Sequence, residues 1–212
     1  AYRSQNPFRL SGDVNIAADS VAIDNVKSEI DGGAVEGRIA LTHDAAKGAA
    51  FEAALKAERL DLDSAAAFAR AVLGPQGEWP ERMLLSLAIN HAISAGQDLH
   101  PFSAKLSYDP KTMTLDSLKI GEASGVVLEG SGAFDRANAT GKLALNSSAA
   151  SLSQIASPIA ALSPQLAARL NAMKLPPGRA QLKLALAVDK DAGHADRANA
   201  QVSIDLDAPQ FK

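Results

Sequence analysis

The sequence predicts a mainly β fold with α elements (α+β): repeated antiparallel β-meander units curled into a groove, each followed by one or two helices. Three observations carry that reading. Apolar and polar residues alternate with period two over most of the 212 residues, as in strands with one buried face. The pattern occurs twice, about 92 positions apart: AIDNVK (Ala22–Lys27) recurs as TLDSLK (Thr114–Lys119), and AVEGRIAL (Ala34–Leu41) as VLEGSGAF (Val127–Phe134). Aromatic residues make up only 4 % of a chain that is 47 % hydrophobic, so Ala, Leu, Val and Ile must gather burial over long strands. A duplicated unit of this size cannot bury its apolar face alone and stacks on its neighbours. Three units are expected: residues 1–80, residues 81–178, and the start of a third at 179–212, stacked as one continuous domain.

Each element has its own justification. In the first strand Leu10, Gly12, Val14 and Ile16 share one face, and Phe102, Ala104, Leu106 and Tyr108 repeat it. The second strand carries Val21 and Ile23, then changes phase to Val26; Met113 and Leu115 change phase to Leu118 in the same way. An odd step in a period-two pattern needs a bulge, expected near Asp24–Asn25 and Asp116–Ser117. The third strand places Val35, Gly37, Ile39 and Leu41 on one face, matched by Leu128, Gly130, Gly132 and Phe134. The loops THDAAKG and DRANATG then read as hairpin connections. Phe51, Ala53, Leu55 and Ala57 form a fourth strand that shifts to Leu60 and Leu62, and Leu143 and Leu145 shift to Leu152.

Helices are expected next. Asp63 and Ser64 are placed to cap Ala65–Leu73, with Gly74-Pro75 as the stop. Leu152–Leu175 is broken by Pro158 and Pro164 and ends at Pro176-Pro177-Gly178, since Pro costs about 3 kcal/mol inside a helix. Strand alternation resumes at Leu85, Leu87 and Ile89, and again at Leu182, Leu184, Leu186 and Val188. A last strand holds Val202, Ile204 and Leu206 after a second DRANA, Asp196–Ala200.

Composition excludes several functions. The formal net charge is −3 and basic residues do not cluster, which argues against a surface that tracks nucleic-acid phosphates. Cysteine is absent, so disulfides and thiolate metal sites are ruled out. No apolar run is long enough to span a membrane. The chain starts at Ala1 without Met and ends soon after QVSIDLD, and is expected to be a piece of a longer protein.

Chemistry-bearing residues are scattered. His43, His100 and His194 fall in loops or at a strand start, and His91 sits on an apolar strand face in phase with Ile89 and Ile93. With no second ligand at metal spacing, His91 reads as a buried, hydrogen-bonded or edge-of-core histidine and not as a ligand or base. Asp189, Asp191 and Gly193 resemble a calcium loop but lack the bidentate Glu that such a loop requires. Asp61 and Asp63 flank Leu62 at a strand end, where Asp63 as a helix N-cap suffices, and the glycines at Gly32-Gly33, Gly37, Gly125, Gly130 and Gly132 lie in strand or turn patterns where they mark bulges or curvature. Ser153, Ser157 and Ser163 have no His or Lys within sequence reach. No catalytic residue, cofactor site or metal site is assigned, and the protein is expected not to be an enzyme.

The run Ser11–Leu41 (SGDVNIAADSVAIDNVKSEIDGGAVEGRIAL), followed by a polar turn, FEAALKAERLDLDSAAAF (Phe51–Phe68) and a helix, resembles the AsmA family of Gram-negative envelope proteins. Ile89–Phe134 looks like a second copy of that module, and the resemblance covers nearly all of the chain. It implies a periplasmic protein anchored by one N-terminal inner-membrane helix lying outside this sequence. Such proteins are similar to repeating-β-groove lipid transfer proteins, associated with outer-membrane biogenesis and lipid transport. The implied partners are a phospholipid or other acyl-chain lipid and envelope proteins, with no nucleic acid and no cofactor. Candidate groove residues are Val14, Ile16, Ile39, Leu41, Phe51, Leu55, Leu85, Leu87, Ile89, Phe102, Leu106, Tyr108, Phe134, Leu143, Leu145, Leu184 and Leu186. The alternative is a scaffold for outer-membrane protein assembly that uses exposed strand edges and holds no lipid.

Overall fold

The computed structural model describes residues 9–30, 33–73, 80–94, 96–121, 127–149, 180–191 and 194–207. The chain divides into two compact units, Ala1–Pro110 and Lys111–Lys212. Both are dominated by β-strands, so the mainly β class holds. Among the described residues there is one helix, and the helical segment expected at Leu152–Leu175 lies outside them. No helix among the described residues is long and apolar enough to cross a membrane.

The first unit contains β1 (Arg9–Ile16), β2 (Ser20–Ile30), β3 (Gly33–Asp44) and β4 (Gly48–Asp61), followed by α1 (Leu62–Leu73). It continues with β5 (Arg82–Ser94), β6 (Gln97–Leu99) and β7 (Phe102–Tyr108). Strands β1 to β4 form an antiparallel meander, each pairing with the next. Strand β5 then pairs with β4 in parallel, from Ala50↔Arg82 to Asp61↔Ile93. A tight hairpin cannot make a parallel pair, and the chain segment that includes α1 supplies the crossover. On β5, Met83–Ile89 pair with β7 and Ala92–Ser94 with β6, both antiparallel.

The second unit contains β8 (Thr112–Gly121), β9 (Val127–Asp135), β10 (Thr140–Ala149), β11 (Ala180–Asp191) and β12 (His194–Asp207). These pair in sequence order and all are antiparallel.

The phase changes of the second strand and of its counterpart in the second copy are both bulges. Ile23 pairs with Ile39 and Val26 with Gly37, which leaves Asp24 and Asn25 opposite Arg38 alone. Leu115 pairs with Gly132 and Leu118 with Gly130, which leaves Asp116 and Ser117 opposite Ser131. In each case the extra residue restores Val26 or Leu118 to the face it would otherwise leave. Gly37 has φ 154°, and a Cβ there would run into the Ala54 carbonyl on β4.

The two hairpin turns are also built alike. Asp44 Oδ1 accepts hydrogen bonds from the Ala46 and Lys47 amides at 2.8 and 3.1 Å. Asp135 Oδ1 accepts one from the Asn138 amide at 2.9 Å. Four residues after each aspartate the backbone turns left-handed, at Gly48 (φ 70°) and Ala139 (φ 50°).

The helix cap differs from the expected one. Asp61 Oδ1 accepts the Ser64 amide at 2.8 Å, so Asp61 is the N-cap and the helix starts at Leu62. Asp61 is still the last residue of β4, and one side chain therefore serves as both strand end and helix cap.

Candidate functional site

Residues directly opposed across a sheet project to the same side, so the registers define rows of side chains. In the first unit one row runs Ile16, Val21, Leu41, Phe51, Met83, Tyr108, and the next runs Val14, Ile23, Ile39, Ala53, Leu85, Leu106. A third runs Val26, Gly37, Leu55, Leu87, Ala104, and a fourth Val35, Ala57, Ile89, Phe102. All twelve groove candidates between Val14 and Tyr108 thus share one face of this unit. Val21, Ile23 and Met83 belong to the same face and were missed, although the strand phase of the first two already contained that information.

The second unit repeats the layout. Its rows are Met113, Phe134, Gly141, Val188; then Leu115, Gly132, Leu143, Leu186; then Leu118, Gly130, Leu145, Leu184; then Ile120, Leu128, Ser147, Leu182. Phe134, Leu143, Leu145, Leu184 and Leu186 all fall on this face.

Burial is graded across the rows, in the same sense in each unit. At one margin of the first unit Ile16 is 77 % exposed, Leu41 48 % and, one row in, Val14 58 %. Ile39, Phe51, Leu55, Leu85, Leu87, Leu106 and Tyr108 are half-buried. At the other margin Val35, Ile89 and Phe102 are buried. In the second unit Met113 is exposed, Phe134, Leu143, Leu184 and Leu186 are half-buried, and Leu145 is buried. Ile120, Leu128 and Leu182 close the far margin, and Ser147 among them donates its hydroxyl to the Val127 carbonyl at 3.2 Å. The apolar face is therefore a core along one margin and solvent-facing along the other.

The opposite face of the second unit is polar, with Lys119, Glu129, Asn146 and Lys183 in one row. A shallow cavity of about 440 Å³ is lined by this row, by Val127, Ser148 and Gln181, and by Ser147 and Leu182 of the apolar face. Lys119 Nζ lies 3.3 Å from Glu129 Oε1 within it.

Beyond Ile89 and Phe102 the first unit inverts its polarity. The β4–β5 register continues unbroken from Ala57↔Ile89 to Leu60↔Ala92, so the odd step in sequence turns Leu60 and Ala92 to the other face. Both are buried there, as is Leu99, the partner of Ala92 on β6. Helix α1 begins at the next residues and packs against β4 and β5. The side from which Leu60, Ala92 and Leu99 turn away carries Arg59, His91, Asp98 and His100 beside Ile93.

These polar residues meet. His91 Nδ1 is 3.0 Å from Asp98 Oδ2, and His100 Nδ1 is 3.6 Å from Asp98 Oδ1. The two imidazoles lie 5.1 Å apart, centroid to centroid, tilted by 34°. The sequence shows no second ligand-type residue at metal spacing from His91, and the fold brings Asp98 and His100 beside it. The missed signal is the β5–β6 hairpin: Ala92 pairs with Leu99, which sets His91 across from His100. Gly96, with φ 76°, permits the turn.

Of the other candidates, His43 is the penultimate residue of β3, beside Asp44, whose carboxyl is held below its ordinary pKa by the Ala46 and Lys47 amides. Asp189, Asp191 and His194 lie at the β11–β12 hairpin, while Gly193, Ser153, Ser157 and Ser163 fall outside the described residues. No protein-family model, curated protein or solved structure matches this chain.

Proposed function

We propose that this chain is a non-enzymatic, lipid-handling segment of an AsmA-like periplasmic protein that acts in outer-membrane biogenesis. On this reading the parent protein is anchored in the inner membrane outside this sequence, and each apolar face is the lining of a β-groove that takes an acyl chain. One observation carries the proposal: the row Ile16, Val21, Leu41, Phe51, Met83, Tyr108 is apolar across six strands, and its first three members are exposed. A contiguous exposed apolar row of this kind marks a binding surface more often than it decorates a monomer.

The energetics suit an acyl chain. Each methylene removed from water contributes about 0.8 kcal/mol, so covering about eight of them yields roughly 6 kcal/mol before the cost of ordering the chain. No polar recognition is required for that gain. Graded burial supports the reading, because the closed margin holds the sheet together while the open margin offers surface.

Mass spectrometry of the purified protein is expected to detect co-extracted phospholipid. A fluorescent fatty-acid probe should bind the delipidated protein and should bind Leu41→Asp and Ile16→Asp more weakly. A preparation that carries no lipid and also fails to bind the probe would overturn the proposal in favour of a protein-assembly scaffold.

A further inference from the structure

We infer that His91, Asp98 and His100 form a binding site for a divalent first-row transition-metal ion such as Zn²⁺. The inference rests on side-chain geometry in the β5–β6 hairpin and is independent of the lipid reading. One donor atom from each of the three residues lies within 4.8 Å of the other two. A four-coordinate ion sits about 2.0–2.2 Å from imidazole nitrogen and carboxylate oxygen, which places neighbouring donors about 3.3 Å apart. Asp98 Oδ1 lies 3.3 Å from His91 Nδ1 and 3.6 Å from His100 Nδ1, at and slightly above that value.

A second observation points the same way. Among the described residues, buried His100 Nδ1 has no hydrogen-bond partner, and 3.6 Å from Asp98 is too long for a hydrogen bond. A buried imidazole nitrogen left without a partner is costly, and ligation of an ion held against Asp98 would satisfy it. The donor set of two imidazoles and one carboxylate suits Zn²⁺, Ni²⁺ or Cu²⁺ rather than Ca²⁺ or Mg²⁺, which prefer all-oxygen surroundings.

The hairpin pre-organises the set. Ala92↔Leu99 and Ile93↔Asp98 are paired, so Asp98 lies on the same side as His91, one step along. His91 and Asp98 are each about two-fifths exposed, which leaves the site open to the ion and to water as a fourth ligand. Arg59, in register with His91 on β4, adds a positive charge on the neighbouring strand and keeps the expected affinity modest.

The test is calorimetric titration of untagged, chelator-stripped protein with Zn²⁺ at neutral pH. One saturable site per chain is expected. His91→Ala, His100→Ala and the near-isosteric Asp98→Asn should each weaken it by about tenfold or more. Asp98→Asn keeps the side-chain shape, so it reports on ligation even where a histidine variant perturbs the hairpin. His43→Ala, in a different hairpin, should leave binding unchanged. Absence of saturable binding by the unaltered protein, or binding undiminished in a His91→Ala/His100→Ala double variant, overturns the inference.

Discussion

Arg38 Nε lies 2.9 Å from Asp24 Oδ1, an ion pair laid across the bulge in which Asp24 and Asn25 together face Arg38. The pair is well exposed and contributes little energy by itself. Its interest is geometric, because the bulge is tied from both sides. From β1, Asn15 Nδ2 donates to Asp24 Oδ2 at 2.8 Å, and Asn25 Nδ2 donates to Asp13 Oδ2 at 2.7 Å. Asn25 adopts φ 50°, a left-handed conformation that asparagine tolerates and β-branched residues do not. Val26 is thereby returned to the apolar face, where it is 2 % exposed.

The bulge therefore sets the first mutational test. Asn25→Val should destabilise the protein by about 1–2 kcal/mol, the cost of a left-handed β-branched residue. Asn25→Gly should stay within roughly 0.5 kcal/mol, since glycine takes the conformation freely. Urea unfolding monitored by circular dichroism distinguishes the two. Equal losses from both substitutions would shift the weight from backbone conformation to the Asn25–Asp13 hydrogen bond.

Graded burial makes a second prediction. Ile120 and Leu128 are each 1 % exposed, and truncation of either to Ala should cost about 2–5 kcal/mol through lost transfer energy and a residual cavity. Ile16 is 77 % exposed, and Ile16→Ala should change stability by less than roughly 0.5 kcal/mol. Denaturation midpoints for the three variants check the contrast. A large loss from Ile16→Ala would mean that the open margin carries core packing after all.

Acid stability offers a third. The Ala46 and Lys47 amides, in that order of effect, hold the Asp44 carboxyl below its ordinary value of 3.8. A carboxyl whose folded pKa is depressed contributes stability above its unfolded pKa and loses it as pH falls through the folded value. The contribution of Asp44 should thus be complete above about pH 4 and fade below it. In unfolding midpoints taken as a function of pH, Asp44→Asn should flatten this acidic limb and leave the neutral region parallel to that of the unaltered protein. An unchanged acid limb in Asp44→Asn would rule the turn out as its source.

Much of this architecture is legible in the residues themselves. Alternation in β1 to β5 and β7 to β11 placed all seventeen candidates on the apolar face of their own unit, because the side to which a strand residue points depends only on counting along the strand. The bulges at Asp24–Asn25 and Asp116–Ser117 were legible for the same reason, since a phase change within one strand is a local signal. The turn aspartates Asp44 and Asp135 act through amides two or three residues away.

What the residues left open depends on partners far away in the chain. The parallel pairing of β4 with β5 is set by the path of the crossover, and strand alternation looks identical in either direction. DRANA forms the end of a strand and a turn at Asp135–Ala139, yet lies wholly within β12 at Asp196–Ala200, where Ala200 pairs with Val188. Five identical residues thus take two conformations because the pairing of the neighbouring strand overrides local preference. The same dependence hid the polar group at the end of the apolar face. Sequence alone determined that the chain forms half-buried strands, where they bulge and which side is apolar. The tertiary structure decided that Leu60, Ala92 and Leu99 turn to the other face and that His91, Asp98 and His100 converge, because only the register between strands brings distant residues together.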